Sequence, residues 1–118
     1  MHDEILDETK LDDLLEMTGG DPEFLAEMID SYLETTPPLL EQMQQSLISA
    51  DAAAFRLAAH TLKSGSADFG AMTLSALCAQ LEEMGKAADM DGAAPLVARA
   101  LELYQQVEVA LIAVRDRQ

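Results

Sequence analysis

His60 and Lys63 are the residues of this chain whose types and spacing could do chemistry, because they stand about one helical turn apart in a stretch that reads as a helix. That stretch, Ala52 to Ala67, opens after Asp51, a residue type whose carboxylate accepts the free N–H groups at a helix start. With an advance of about 100° per residue and Leu62 at the centre of the buried face, Phe55, Ala58, Ala59, Gly65, Ser66 and Phe69 fall within roughly 60° of it and predict a core stripe. His60 lies roughly 160° away and is expected to point at solvent. Its helical neighbours are Arg56, Leu57, Lys63, Ser64 and Ala67. No carboxylate occurs between Asp51 and Asp68, although the formal net charge is −15. An exposed imidazole is nucleophilic near neutral pH, since its unperturbed pKa is about 6.5. It can take and give a phosphoryl group without a second residue to remove a proton first. Lys63 offsets the charge that such a group brings, and the small neighbours leave room for another protein to approach.

The run Ala59-His60-Thr61-Leu62-Lys63-Ser64-Gly65-Ser66-Ala67-Asp68-Phe69-Gly70-Ala71 resembles the histidine-containing phosphotransfer (HPt) domains of multistep phosphorelays. It is similar to their His-x-Leu-Lys-(Gly/Ser)-small-small segment followed by a loop glycine. The resemblance implies that His60 is the phosphoacceptor and Lys63 the phosphate-stabilising cation. Ser64 and Gly65 are then the small residues that permit close docking, with Arg56, Leu57 and Ala67 on the same docking face and Gly70 in the turn after the helix. Members of the family often place a Gln on the next helix to orient the imidazole, and the matching position here is Glu82. An ionised carboxylate accepts from a ring N–H but donates nothing. The resemblance further implies a phosphocarrier with no cofactor, nucleotide site or metal site of its own. The phosphoryl group comes from a receiver-domain phosphoaspartate or a kinase, and Mg²⁺ is supplied by the partner receiver domain. The implied partners are response-regulator receiver domains and a hybrid sensor histidine kinase.

The elements that must position His60 are helical throughout. From Met1 to Met17 a thin apolar stripe of Ile5, Leu6, Leu11, Leu14 and Leu15 within acidic sequence predicts a short helix packed on something larger, ended by Gly19-Gly20. Asp21-Pro22 is a strong helix start, an N-cap followed by proline at a position whose N–H is not needed. Leu25, Met28, Ile29, Tyr32 and Leu33 line the inner face of that second helix. Pro37-Pro38 should interrupt it, because proline removes a donor and clashes with the preceding turn. Leu39, Leu40, Met43, Leu47 and Ala50 stay in phase with Tyr32. A bent helix or two nearly collinear ones are therefore expected between 22 and 50, with Thr36 able to cap the second half.

After the His60 helix, Asp68 and Gly70 predict a loop, and Leu74, Leu77, Cys78, Leu81 and Met84 predict another inward stripe. Glu82 lies roughly 100° from Leu81, at the edge of that stripe, and could face the His60 helix. Gly85 and the segment 87–92 are expected to turn the chain. Val97, Ala100, Tyr104, Val107, Leu111 and Val114 mark the last helix, and Arg115 and Arg117 suit its C-terminus. No period-two alternation persists long enough for a strand. The expected fold is all-α, an antiparallel four-helix bundle forming one domain over residues 1–118, with residues 1–20 packed on it as an acidic helix.

Composition narrows the partners. Asp and Glu number 22 against 7 Lys and Arg, and twelve of the acids precede Pro37, so nucleic acid and anionic membranes are disfavoured. A protein partner, a monomeric chain and a cytoplasmic location are expected. Cys78 is alone, so it forms no intrachain disulfide and reads as an inert buried thiol. No N-terminal stretch reads as a signal peptide or a spanning helix. The seven methionines read as core fillers, and His2 near the terminus needs no role.

Other chemistries fit poorly. A di-iron bundle needs Glu-x-x-His pairs facing inward, but Leu57 stands three residues before His60. Phosphate-binding glycine loops are absent. The rival from another class is an acidic carrier modified on Ser31, where Asp30-Ser31-Tyr32 is a faint match placed inside a predicted helix. The bland rival is an interaction module whose histidine is never phosphorylated.

Overall fold

The computed structural model describes residues 5–117, so Met1 to Glu4, including His2, lie outside the described residues. Among the described residues every element is a helix: α1 (Glu8–Met17), α2 (Pro22–Ile48), α3 (Ala52–Asp68), α4 (Met72–Lys86) and α5 (Ala93–Asp116). Helices α2 to α5 form the antiparallel bundle that the apolar spacing predicts. Each packs on its neighbour in sequence, and α5 closes back on α2. Phe55, Ile29, Met43, Leu62, Leu74, Leu81, Val107 and Leu111 meet in the centre with almost no exposed surface.

Helix α1 begins later than the stripe from Ile5 suggested. Asp7 caps it by accepting from the Thr9 N–H, and Leu6 and Asp7 lie outside any helix as a short strap. Leu6 is buried within that strap. The Asp7 N–H donates to the Gly70 carbonyl at 2.7 Å. Gly70 has φ of +81°, and a Cβ there would stand 2.5 Å from the Asp7 carbonyl oxygen. The loop after α3 therefore needs glycine both for its backbone conformation and for the strap crossing it.

The proline pair does not divide α2, which is one 27-residue helix with Pro37 and Pro38 inside it. Pro37 cannot donate to the Leu33 carbonyl four residues back. The Tyr104 hydroxyl of α5 reaches that oxygen instead, at 3.4 Å. Thr36 does not cap a second segment; its hydroxyl donates back to the Tyr32 carbonyl at 2.6 Å, inside the buried face. Ala50 departs from the apolar phase. It is exposed, with φ of +57°, and turns the chain toward Asp51.

Gly85 is a second departure, since it lies within α4 and is buried, and the turn comes only after Lys86. Arg115 does more than complement its helix end, pairing with Asp30 of α2 at 2.7 Å. Of the methionines, Met43 is fully buried, whereas Met17 and Met72 are exposed and fill no core gap. No helix among the described residues is long and apolar enough to cross a membrane.

Candidate functional site

Asp51 starts α3 by accepting from the Ala54 N–H at 3.1 Å. Phe55, Ala58, Ala59, Leu62 and Ser66 then anchor one face of the helix in the core. His60 consequently emerges on the opposite face with its side chain 53% exposed. Arg56, Leu57 and Ser64 are exposed beside it, and Lys63 is half-buried. Gly65 and Ala67 are also half-buried. Gly65 faces Tyr32, whose ring lies 3.6 Å from where a Cβ would stand. Gly65 caps nothing, because the helix continues to Asp68.

The absence of acids along α3 does not carry into three dimensions, because α4 brings Glu82 under the histidine. Its side chain is only 4% exposed. One carboxylate oxygen lies 2.8 Å from Nδ1 of His60, and the other accepts from Nζ of Lys63 at 2.6 Å. The bond from Lys63, reinforced by His60 and opposed by burial, holds the Glu82 pKa at about 2, well below the ordinary value of 4.5. Glu82 is therefore ionised at neutral pH and acts only as an acceptor. The hydrogen of the contact accordingly belongs to Nδ1, and Nε2 carries the free lone pair.

Two further contacts brace α3 from below. Ser75 of α4 donates to the Lys63 carbonyl at 2.9 Å. Ser66 bonds the Tyr32 hydroxyl at 2.8 Å, and burial pushes that phenol up to about 12. The Tyr32 and Phe69 rings pack alongside at 4.9 Å. Sequence reasoning placed Tyr32 and Ser66 on buried faces but did not pair them, and it missed Ser75, whose only signal is a small polar residue on an apolar stripe.

Arranged in this way the site presents an oriented, accessible ring nitrogen above a buried carboxylate, with Lys63 and Arg56 as cations and Leu57, Ser64, Gly65 and Ala67 as its other neighbours on α3. Among the described residues no group of three or more His, Cys, Asp or Glu side chains is arranged to hold a metal ion. Ser31, the residue of the rival carrier reading, is exposed in the middle of α2, with its carbonyl accepting from Thr35.

The sequence model of the Hpt domain matches residues 27–113. Among solved structures, histidine-containing phosphotransfer protein B from Pseudomonas aeruginosa superposes with a TM-score of 0.87 at 26% identity, with 96% of each chain covered. The HPT domain of a sensor hybrid histidine kinase from Shewanella gives a TM-score of 0.75 at 24% identity over 91% of this chain and 92% of its own, a likeness of fold. No curated protein matches the chain.

Proposed function

The chain belongs to the Hpt domain family of histidine phosphotransfer proteins, phosphocarriers of phosphorelays, and on that premise we propose that His60 is the residue that carries the phosphoryl group. The observation that carries this reading is the contact between the exposed His60 and the buried, ionised Glu82. It holds the Nδ1 hydrogen and leaves the Nε2 lone pair toward the partner. Nε2 attacks the phosphorus of a receiver's phosphoaspartate in line. The N–P bond forms as the P–O bond to the aspartate breaks, and that bond's electron pair returns to the aspartate carboxylate. The ring keeps its Nδ1 hydrogen and becomes cationic, which Glu82 stabilises through the same contact. Onward transfer to a second receiver is the reverse of these steps.

Little catalytic machinery is required of the carrier. Mg²⁺ and most of the charge stabilisation belong to the receiver domain, and Lys63 contributes one cation from this side. Arg56, Leu57 and Ser64 form the exposed rim on which the receiver docks, while Gly65 and Ala67 keep the edges low. Residues 1–118 act as one domain, a monomeric cytoplasmic partner of receiver domains and of a hybrid sensor kinase.

The test is incubation of the purified protein with a labelled phospho-receiver, comparing wild type with His60→Gln. Acid-labile, alkali-stable label that requires His60 is the expected outcome. Normal transfer by a folded His60→Gln protein would refute the assignment.

A further inference from the structure

Gly85 lies three residues after Glu82 on α4, on the same face of the helix. A Cβ at this position would stand 2.8 Å from the Cβ of Arg56, 2.9 Å from its Cα and 3.0 Å from its backbone nitrogen. Two of those atoms are main chain, so no rotation of the Arg56 side chain relieves the contact. Glycine is required here by space, since position 85 is ordinary helix and lies outside the left-handed region.

The two helices run antiparallel, which puts this contact next to the site. Arg56 is about one turn before His60 on α3, and Gly85 is about one turn after Glu82 on α4. Restoring ordinary contact of about 3.5 Å to the Arg56 main chain and Cβ would move α4 outward by roughly 0.5–0.7 Å. A similar movement at Glu82 would take its 2.8 Å contact with His60 out of the range of a strong charge-assisted bond.

We propose that Gly85 is a positioning residue: by letting α4 lie directly on the α3 backbone at Arg56, it sets the helix separation at which Glu82 reaches Nδ1 of His60. This rests on the phosphotransfer reading for its consequence but not for its geometry. Replacing glycine by alanine raises helix propensity, so a defect in Gly85→Ala arises from the helix seam and not from weakened local structure.

The experiment compares wild type, Gly85→Ala, Glu82→Ala and the double variant by ¹⁵N NMR of the imidazole and by the initial rate of phosphoryl transfer from a phospho-receiver. In wild type the His60 ring should show a single Nδ1–H tautomer. In Gly85→Ala, with helical circular dichroism unchanged, it should become a tautomer mixture, and transfer should fall about tenfold. In the Glu82→Ala background, adding Gly85→Ala should change the rate by less than about twofold, because the interaction through which it acts is already gone. Glu82→Asp leaves the seam intact and withdraws the carboxylate, and it should give the same mixture of tautomers. The proposal is overturned by wild-type ring shifts in Gly85→Ala or Glu82→Asp, by full multiplicative loss in the double variant, or by global unfolding of Gly85→Ala. The ring signals are read without any phosphoryl donor, so failure of label to reach His60 would count against the carrier assignment alone.

Discussion

Lys63 Nζ sits 2.6 Å from Glu82 Oε1, so the ammonium one helical turn from His60 is already engaged by a carboxylate. One buried carboxylate holds both the His60 ring and the Lys63 ammonium. On the proposed phosphotransfer reading, a phosphoryl group on His60 competes with Glu82 for the charge of Lys63.

Lys63→Ala should slow transfer about tenfold by removing that charge. It should also lower the melting temperature, because it strips a buried carboxylate of one of its two partners. Adding Glu82→Gln should recover part of the lost melting temperature while leaving transfer slow. Thermal unfolding of wild type and the two variants decides this, and a double variant less stable than Lys63→Ala alone would contradict it.

The pairing also predicts an acid transition. Glu82 is depressed from 4.5 to about 2, chiefly by the bond from Lys63. A carboxylate lowered on folding contributes stability that is fully present above the unfolded value and is lost as pH falls toward the folded one. Urea midpoints measured from about pH 5 to about pH 2 should therefore fall more steeply for wild type than for Glu82→Gln. Asp7, lowered by its bonds from Thr9, is present in both proteins and cancels. Equal slopes would mean that other carboxylates account for acid unfolding.

Tyr104 and Pro37 should be coupled. The hydroxyl serves the carbonyl that the proline leaves without a helical donor, at a length typical of a weak bond. Tyr104→Phe should cost about 0.5 kcal/mol in the Pro37 protein and nearly nothing once Pro37→Ala restores the helical N–H. Pro37→Ala alone should stabilise the protein by about 1–3 kcal/mol. Additive effects in denaturant melts would dissociate the two residues.

Cys78 should be silent in the folded protein. It is fully buried on α4, and burial pushes its thiol up to about 12. Iodoacetamide near neutral pH should label it only at the rate of unfolding, and labelling should become fast in denaturant. Prompt alkylation of the native protein would show that this part of the core opens locally.

The helices and the placement of His60 were legible in the sequence because both depend on short-range periodicity. The core stripe around Leu62 determines which face of α3 is buried, and with it that the histidine points outward. Asp21 and Asp51 announced their helix starts by the same local logic. What the tertiary structure alone decided is contact between residues far apart in the chain. Proline rules left a bent helix and two collinear ones equally open between 22 and 50, and burial against α5 with the Tyr104 hydroxyl on the Leu33 carbonyl accompanies one continuous α2. Gly85 carried the local signature of a turn, yet the approach of the Arg56 backbone makes it a gap filled by another helix. The acid-free window on α3 is real in sequence, and the edge position of Glu82 on α4 let it be expected to face that window, but only the packing of α4 on α3 brings its one carboxylate to both His60 and Lys63.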